Sequence, residues 1–228
     1  MQKKDAKTPA VDMLLYEKQA HRRGFCLVTG IDEAGRGPLA GPVVAGAVIL
    51  PRWVRLPGLT DSKMLSAAQR EKFDKKIRAT ASAFGIGVVD NTEIDRINIL
   101  KASFRAMMLA VEQMGTKPDF LLIDGPYKLP LEIEQVGIPR GDALSLSIAA
   151  ASVLAKVHRD RIMCEYHERY PQYGFDSNKG YGTARHREAI RRHGPCPLHR
   201  LSFGCVTGRL EREYDGDEPD RQGQERRG

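Results

Sequence analysis

Along this chain the spacing of apolar residues changes repeatedly between short continuous runs and helical repeats, and each change marks an element. Phe25 to Glu33 (FCLVTGIDE) and Pro42 to Leu50 (PVVAGAVIL) are apolar runs of strand length, joined by a glycine-rich segment. Phe84 to Val89 predicts a third strand, Asp119 to Gly125 (DFLLIDG) a fourth and Gln135 to Ile138 a short fifth. The clearest helix is Ile99 to Met114, where Leu100, Phe104, Met107, Met108, Val111 and Met114 fall on one face and Gly115 stops it. Its methionines are read as core packing. Ser66 caps a second helix running to Thr80, with Glu71 and Lys75 four apart on an exposed face. A long helix from Leu144 to Tyr170 ends at Pro171, with Leu146, Ala150, Val153 and Val157 as its inner stripe and Ser152, Lys156 and Asp160 sharing another face. Val11 to His21 reads as a peripheral helix with Leu14, Leu15 and Lys18 on one face, and TARHREAIRRH from Thr183 as a basic one ended by Gly194-Pro195. Trp53 to Ser62, Asp90 to Asn98 and Tyr173 to Gly182 read as loops.

A helix feeding a short buried strand predicts a parallel crossover, and open α/β sheets gather ligands at the carboxyl ends of their strands. The chain is therefore expected to be α/β. Small residues in the long helix imply close helix-to-sheet packing.

Composition narrows the class. With 228 residues, 41% hydrophobic and 29% charged, the chain is long enough for one domain with a substantial core. No apolar run approaches the roughly 20 residues of a membrane span, and MQKKDAKTPAVDM lacks the apolar core of a secretory signal. A cytosolic protein without membrane contact is expected. Cys26, Cys164, Cys196 and Cys205 form no CxxC pair, so a thiolate zinc site is not indicated, and Cys26 reads as core. The net charge is +7; five arginines against seven acids from Arg209 onward give −2 there, leaving +9 on the rest. Lys179 to Arg200 holds six Lys plus Arg against Glu188 alone, with His186, His193, His199 and Tyr181 among them. That is a nucleic-acid footprint, with the histidines assigned to the basic patch.

Candidate chemistry lies at the strand ends. Asp32 and Glu33 close the first strand, Asp124 closes the fourth, and Asp142 follows the fifth. Four converging carboxylates repel one another unless cations neutralise them, and hard divalent ions take oxygen ligands. Two such ions about 4 Å apart suit phosphodiester hydrolysis, with no side-chain nucleophile required. Neighbouring strand residues point to opposite faces, so the strand is expected to end or bend at Glu33, before Ala34-Gly35, if both acids are to serve one site. Gly35 and Gly37 allow a sharp turn close to a ligand, and Arg36 supplies a phosphate-binding fork. Lys63, Ser152 and Lys156 are weaker candidates for phosphate contact, and Asp160 is expected to pair with Lys156.

GIDEAGRGPLAGPVVAGAVIL, the DSK at 61 to 63, DFLLIDG, Gly141-Asp142 before SLSIAAASVLAKVHRDR, and NKGYGTARH together resemble bacterial ribonuclease HII, over about Gly24 to Gly204. The resemblance implies an RNase H-like fold, a central mixed five-stranded sheet flanked by helices with a C-terminal helical segment. It implies a metal-dependent endonuclease, using two Mg²⁺ or Mn²⁺ ions, that cuts the RNA strand of RNA/DNA hybrids and incises 5′ of single ribonucleotides in duplex DNA. The acidic quartet falls on Asp32, Glu33, Asp124 and Asp142, as metal ligands and catalytic residues. The loop that contacts the 2′-OH and phosphates falls on Gly35, Arg36 and Gly37, and the tyrosine that stacks beside the ribonucleotide on Tyr181.

Residues 1–23 are then a tail and peripheral helix, 24–208 the catalytic domain with its basic helical segment, and 209–228 a polar tail expected to be disordered. Arg140 stands where the family commonly has Lys. A monomer acting on nucleic acid is expected. The alternatives are another RNase H-like metallonuclease such as a junction resolvase, which has no use for a 2′-OH-reading loop, and a non-catalytic hybrid-binding protein, which has no need of four acids.

Overall fold

The computed structural model describes residues 12–207, so the expectations for the first ten residues and for the tail beyond 208 lie outside the described residues. The five strands are β1 (Val28–Ala34), β2 (Val43–Ile49), β3 (Ala83–Val89), β4 (Phe120–Asp124) and β5 (Glu134–Ile138). They form one sheet in the order β3-β2-β1-β4-β5. β1, β2 and β3 pair antiparallel, whereas β4 runs parallel to both β1 and β5. The sheet is mixed because the β1–β2 link is short while the route to β4 passes through helices. The helices are α1 (Leu15–Arg22), α2 (Ala67–Thr80), α3 (Asn91–Ile97), α4 (Ile99–Glu112), α5 (Leu146–Arg169), α6 (Phe175–Asn178), α7 (Ala184–His193) and α8 (Gly204–Thr207).

Close packing on both faces follows from glycines in the strands. A Cβ on Gly30 would meet the Ser147 carbonyl carbon of α5 at 2.1 Å, and one on Gly46 the Ala151 oxygen at 2.5 Å. On the opposite face, Gly85 and Gly87 lie against the Ala110 and Ala106 carbonyls of α4. Two cores result. One joins α4 to the sheet through Ile31, Ala45, Ala106, Met107 and Ile123; the other joins α5 and α2 through Val48, Ile77, Ala150, Val153 and Leu154. Each large aliphatic side chain so buried stabilises the fold by about 1.5–3 kcal/mol.

Several expectations change. α5 is buried all round from Leu146 to Ala155, where a single stripe was expected, because the sheet lies on one side and α2 on another. Its start is pinned by α1: Glu17 Oε1 accepts from Ser145 Oγ at 2.7 Å, Ser147 N at 2.9 Å and Ser147 Oγ at 2.7 Å, placing a carboxylate at a helix N-terminus. On α1 the buried residues are Glu17 and Ala20, while Leu15 is exposed. The segment read as a loop from Asp90 to Asn98 contains α3, whose start Asp90 caps by accepting from Glu93 N at 2.8 Å. One buried apolar residue, Ile94, with Ile97 packed beside it, is too short a pattern to register as helical. Cys26 is exposed rather than core, since it precedes β1 and its amide is held by Asp119 Oδ2 at 2.7 Å. Among the described residues no helix is long and apolar enough to cross a membrane.

Candidate active site

The parallel pairing of β1, β4 and β5 brings three strand ends together. Ile31 pairs with Ile123, so Asp32 and Asp124 each stand one residue beyond that pair on neighbouring strands. Asp124 in turn pairs with Ile138, and the chain leaves β5 through Arg140, at φ +59°, into a 3-10 turn over Gly141–Ala143 that holds Asp142. Gly141 N donates to Asp124 Oδ1 at 2.6 Å, which ties the last two acids to each other. Glu33 behaves differently from expectation. β1 remains paired with β2 through Ala34, and the turn comes only at Gly35, at φ +99°. The β4 pairing stops at Ile31, however, which leaves that edge open beyond it, and Asp32 and Glu33 both line one cleft.

The cleft has a volume of about 260 Å³ and is lined by Asp32, Glu33, Asp124, the Gly35-Arg36-Gly37 loop, Lys63, Ser152, Lys156 and Tyr181. Asp142 is buried beside the cleft rather than lining it, and is linked to it by Lys63, whose Nζ lies 3.4 Å from its Oδ2. Arg36 Nη1 lies 3.3 Å from Glu33 Oε1, and Asp32 Oδ1 accepts from Glu33 N at 2.7 Å. Lys156 donates to Asp160 at 2.7 Å, as its spacing predicts, and its Nζ is 5.9 Å from the Tyr181 ring centroid. Tyr181 is half-exposed, and Gly37 faces it.

Burial governs the electrostatics. It pushes Asp32 well above the usual carboxylate range, reinforced by the charges of Glu33 and Asp124. Glu33 is raised by burial and by Asp124, against the pull of Arg36. Asp142 is raised by burial, Asp124 and Asp61, against Lys63. Burial alone would lower Lys63, yet Asp142 and Asp61 hold it above its ordinary value. Among the described residues no three acidic, imidazole or thiol groups already form a metal cage; each of the four acids is instead held by a local donor. The donor set is nonetheless all oxygen and under-neutralised, which suits a hard divalent cation.

Two residue pairs carry no signal in the sequence. Arg159 and Arg200 are fully buried and donate to backbone carbonyls of the loop that leads from β1 to β2. His186 and His199, expected in the basic patch, are buried against each other with Nε2 atoms 3.1 Å apart. Guanidinium and imidazole side chains beside many arginines read as surface, and only tertiary packing turns these four inward.

The family model described as Ribonuclease HII matches residues 29–206. Ribonuclease HII of Syntrophobacter fumaroxidans is 65% identical over 206 residues, 90% of this chain and 88% of its own length. Ribonuclease HII of Syntrophus aciditrophicus is 55% identical over 188 residues, 82% of this chain and 89% of its own. The crystal structure of ribonuclease H2 from Pyrococcus horikoshii OT3 superposes with a TM-score of 0.69 at 26% identity, covering 84% of this chain and all of that one. With acids on three adjacent strand ends, an RNase H-like mixed sheet and these relatives across most of its length, the chain belongs to the ribonuclease HII family and is a metal-dependent endonuclease of the RNase H type.

Proposed function

We propose that this enzyme incises duplex DNA on the 5′ side of single embedded ribonucleotides and cuts the RNA strand of RNA/DNA hybrids, leaving 3′-hydroxyl and 5′-phosphate ends. The observation that carries the reading is the cleft itself, where the carboxylates lie beside the Gly-Arg-Gly loop and Tyr181. Asp32, Glu33, Asp124 and Asp142 are the residues that would hold two Mg²⁺ or Mn²⁺ ions. Bound there, the cations supply Lewis-acid stabilisation of the phosphodiester and lower the pKa of attacking water.

The chain's own groups do the rest. Backbone groups of Gly35 to Gly37 approach the 2′-OH, the one feature that separates RNA from DNA at a given position. Arg36 and Lys63 meet the adjacent phosphates, with Lys156 behind them. Tyr181 stacks on the sugar beside the ribonucleotide and thereby favours an RNA-to-DNA junction. Arg185, Arg187, Arg191 and Arg192 of α7 add positive charge for the duplex backbone. The same reading has the enzyme working in the cytosol as a monomer.

A labelled duplex with one ribonucleotide, incubated with Mg²⁺, Mn²⁺ or EDTA beside an all-DNA control, tests this. Expected is metal-dependent incision 5′ of the ribonucleotide, reduced about 100-fold or more in Asp124→Asn. Cutting of the all-DNA duplex would assign a different nuclease specificity, and tight binding without cutting would leave a hybrid-binding protein.

A further inference from the structure

The two substrate-reading elements, the 35–37 loop and Tyr181, lie on separate segments of chain, and one dipeptide joins them. Arg200 reaches the first. Its Nη2 donates to Gly35 O at 2.6 Å and its Nη1 to Arg36 O at 2.9 Å, while Nε and Nη2 also reach Gly41 O at 3.0 and 2.9 Å. His199 reaches the second through His186. The amide of Cys196, 2.9 Å from His199 Nδ1, can only donate, so Nδ1 accepts and the proton sits on Nε2; the Cys196 carbonyl lies farther off, at 3.2 Å. His199 Nε2–H then donates to His186 Nε2 at 3.1 Å, and His186 Nδ1–H to the Tyr181 carbonyl at 2.9 Å. Every member of this chain is neutral, consistent with burial depressing both imidazoles.

The backbone repeats the connection. Ala40 and His199 form an isolated β-bridge, Arg200 N donates to Leu39 O at 2.8 Å, and Leu39 N donates to Gly180 O at 2.8 Å. Arg159 closes the other side, donating to Ala40 O, Pro42 O and Lys179 O. A Cβ on Gly35 would meet Arg159 Nε at 2.2 Å, so the loop rests directly on that guanidinium.

We propose that His199 and Arg200 are positioning residues that set the distance and orientation between the Gly35–Gly37 loop and Tyr181, and so the preference for a single ribonucleotide in DNA over continuous RNA. The inference rests on the reading of that loop and Tyr181 given above. A lone ribonucleotide offers one 2′-OH and one junction, and both elements must fit it together. Continuous RNA offers a 2′-OH at every position, so a loop displaced from Tyr181 still finds a register it can use.

The test is the ratio of incision at a single ribonucleotide to cleavage of a long RNA/DNA hybrid, with kcat and KM for each. The ratio cancels any loss of folded enzyme, so a merely structural defect leaves it unchanged. Arg200→Lys retains the charge but loses the fork, and His199→Asn loses the donor to His186; each is expected to lower the ratio about tenfold. His199→Gln keeps an N–H at the position of Nε2 and is expected to recover most of it. His186→Leu, which cuts the same chain one residue closer to Tyr181, replaces any variant that does not fold. Ratios within twofold of the unmodified enzyme in the folded variants would overturn the proposal. An unmodified enzyme that cuts long hybrids but ignores single ribonucleotides would remove the reading beneath it, and the proposal with it, a failure visible before any variant is made.

Discussion

Two buried polar clusters lie within this enzyme, one of acids and one of arginines and imidazoles, and they are neutralised in opposite ways. Asp32, Glu33 and Asp142 are all held above their ordinary carboxylate range, burial being the largest cause and a neighbouring acid charge adding to it. Arg159 and Arg200 are also buried charges, but backbone carbonyls surround their guanidinium forks, and the two imidazoles satisfy each other. The scaffold that holds the loops is saturated, whereas the proposed catalytic site is left short of positive charge. A cation would complete the second and has no place in the first.

Each cluster can be broken separately, and the signs differ. The largest stability change is expected for Arg159→Leu, which takes donors from Ala40, Pro42 and Lys179 at once; unfolding in urea is expected to show a loss of about 3 kcal/mol or more. Next comes the metal. Mg²⁺ at a hundred times its Kd stabilises a single-site protein by about 2.7 kcal/mol, and the same addition to Asp32→Asn is expected to give far less. An equal rise in Tm in both proteins would detach Asp32 from metal binding. In EDTA, Asp32→Asn itself is expected to be more stable than the unmodified chain by about 1 kcal/mol or more, since it deletes a buried charge while leaving an acceptor for Glu33 N. A destabilised Asp32→Asn would mean that the acid is already well neutralised without metal.

The smallest effects separate the clusters by pH. An acid raised in the folded state contributes stability that is present below its unfolded value and lost as pH rises through the folded one. The metal-free enzyme is therefore expected to lose the contribution of Asp32, Glu33 and Asp142 as pH climbs from about 4. His199 runs the other way. Burial and the His186 ring push it from 6.5 down to about 4, so its contribution is present above 6.5 and lost as pH falls through 4. Denaturation midpoints in EDTA across this range are expected to be steeper on the alkaline side for the unmodified chain than for Asp32→Asn, and flatter on the acid side for His199→Gln.

The acid cluster is more legible in the amino-acid sequence than the arginine cluster, for a physical reason. A carboxylate at the end of an apolar run is locally anomalous, and the parallel crossover that aligns Asp32 with Asp124 follows from a helix between two strands. An arginine among arginines is locally ordinary. Nothing in AKVHRDR or PLHRLSF distinguishes Arg159 and Arg200 from surface cations, and the apolar pattern of α3 is too short to show a period.

By itself, then, the amino-acid sequence determined the five strands and the long helices and marked the four acids as candidates, because those rest on periodicities and local anomalies carried by contiguous residues. Tertiary structure alone decided three further things: that Glu33 shares a cleft with Asp32 although β1 runs on to Ala34, that α5 is buried on all sides of its first turns, and that His199-Arg200 ties Gly35 to Tyr181, Arg200 itself standing 165 residues beyond Gly35. Those outcomes depend on which surfaces meet, and residues that far apart in the chain encounter one another only after the sheet has set their positions.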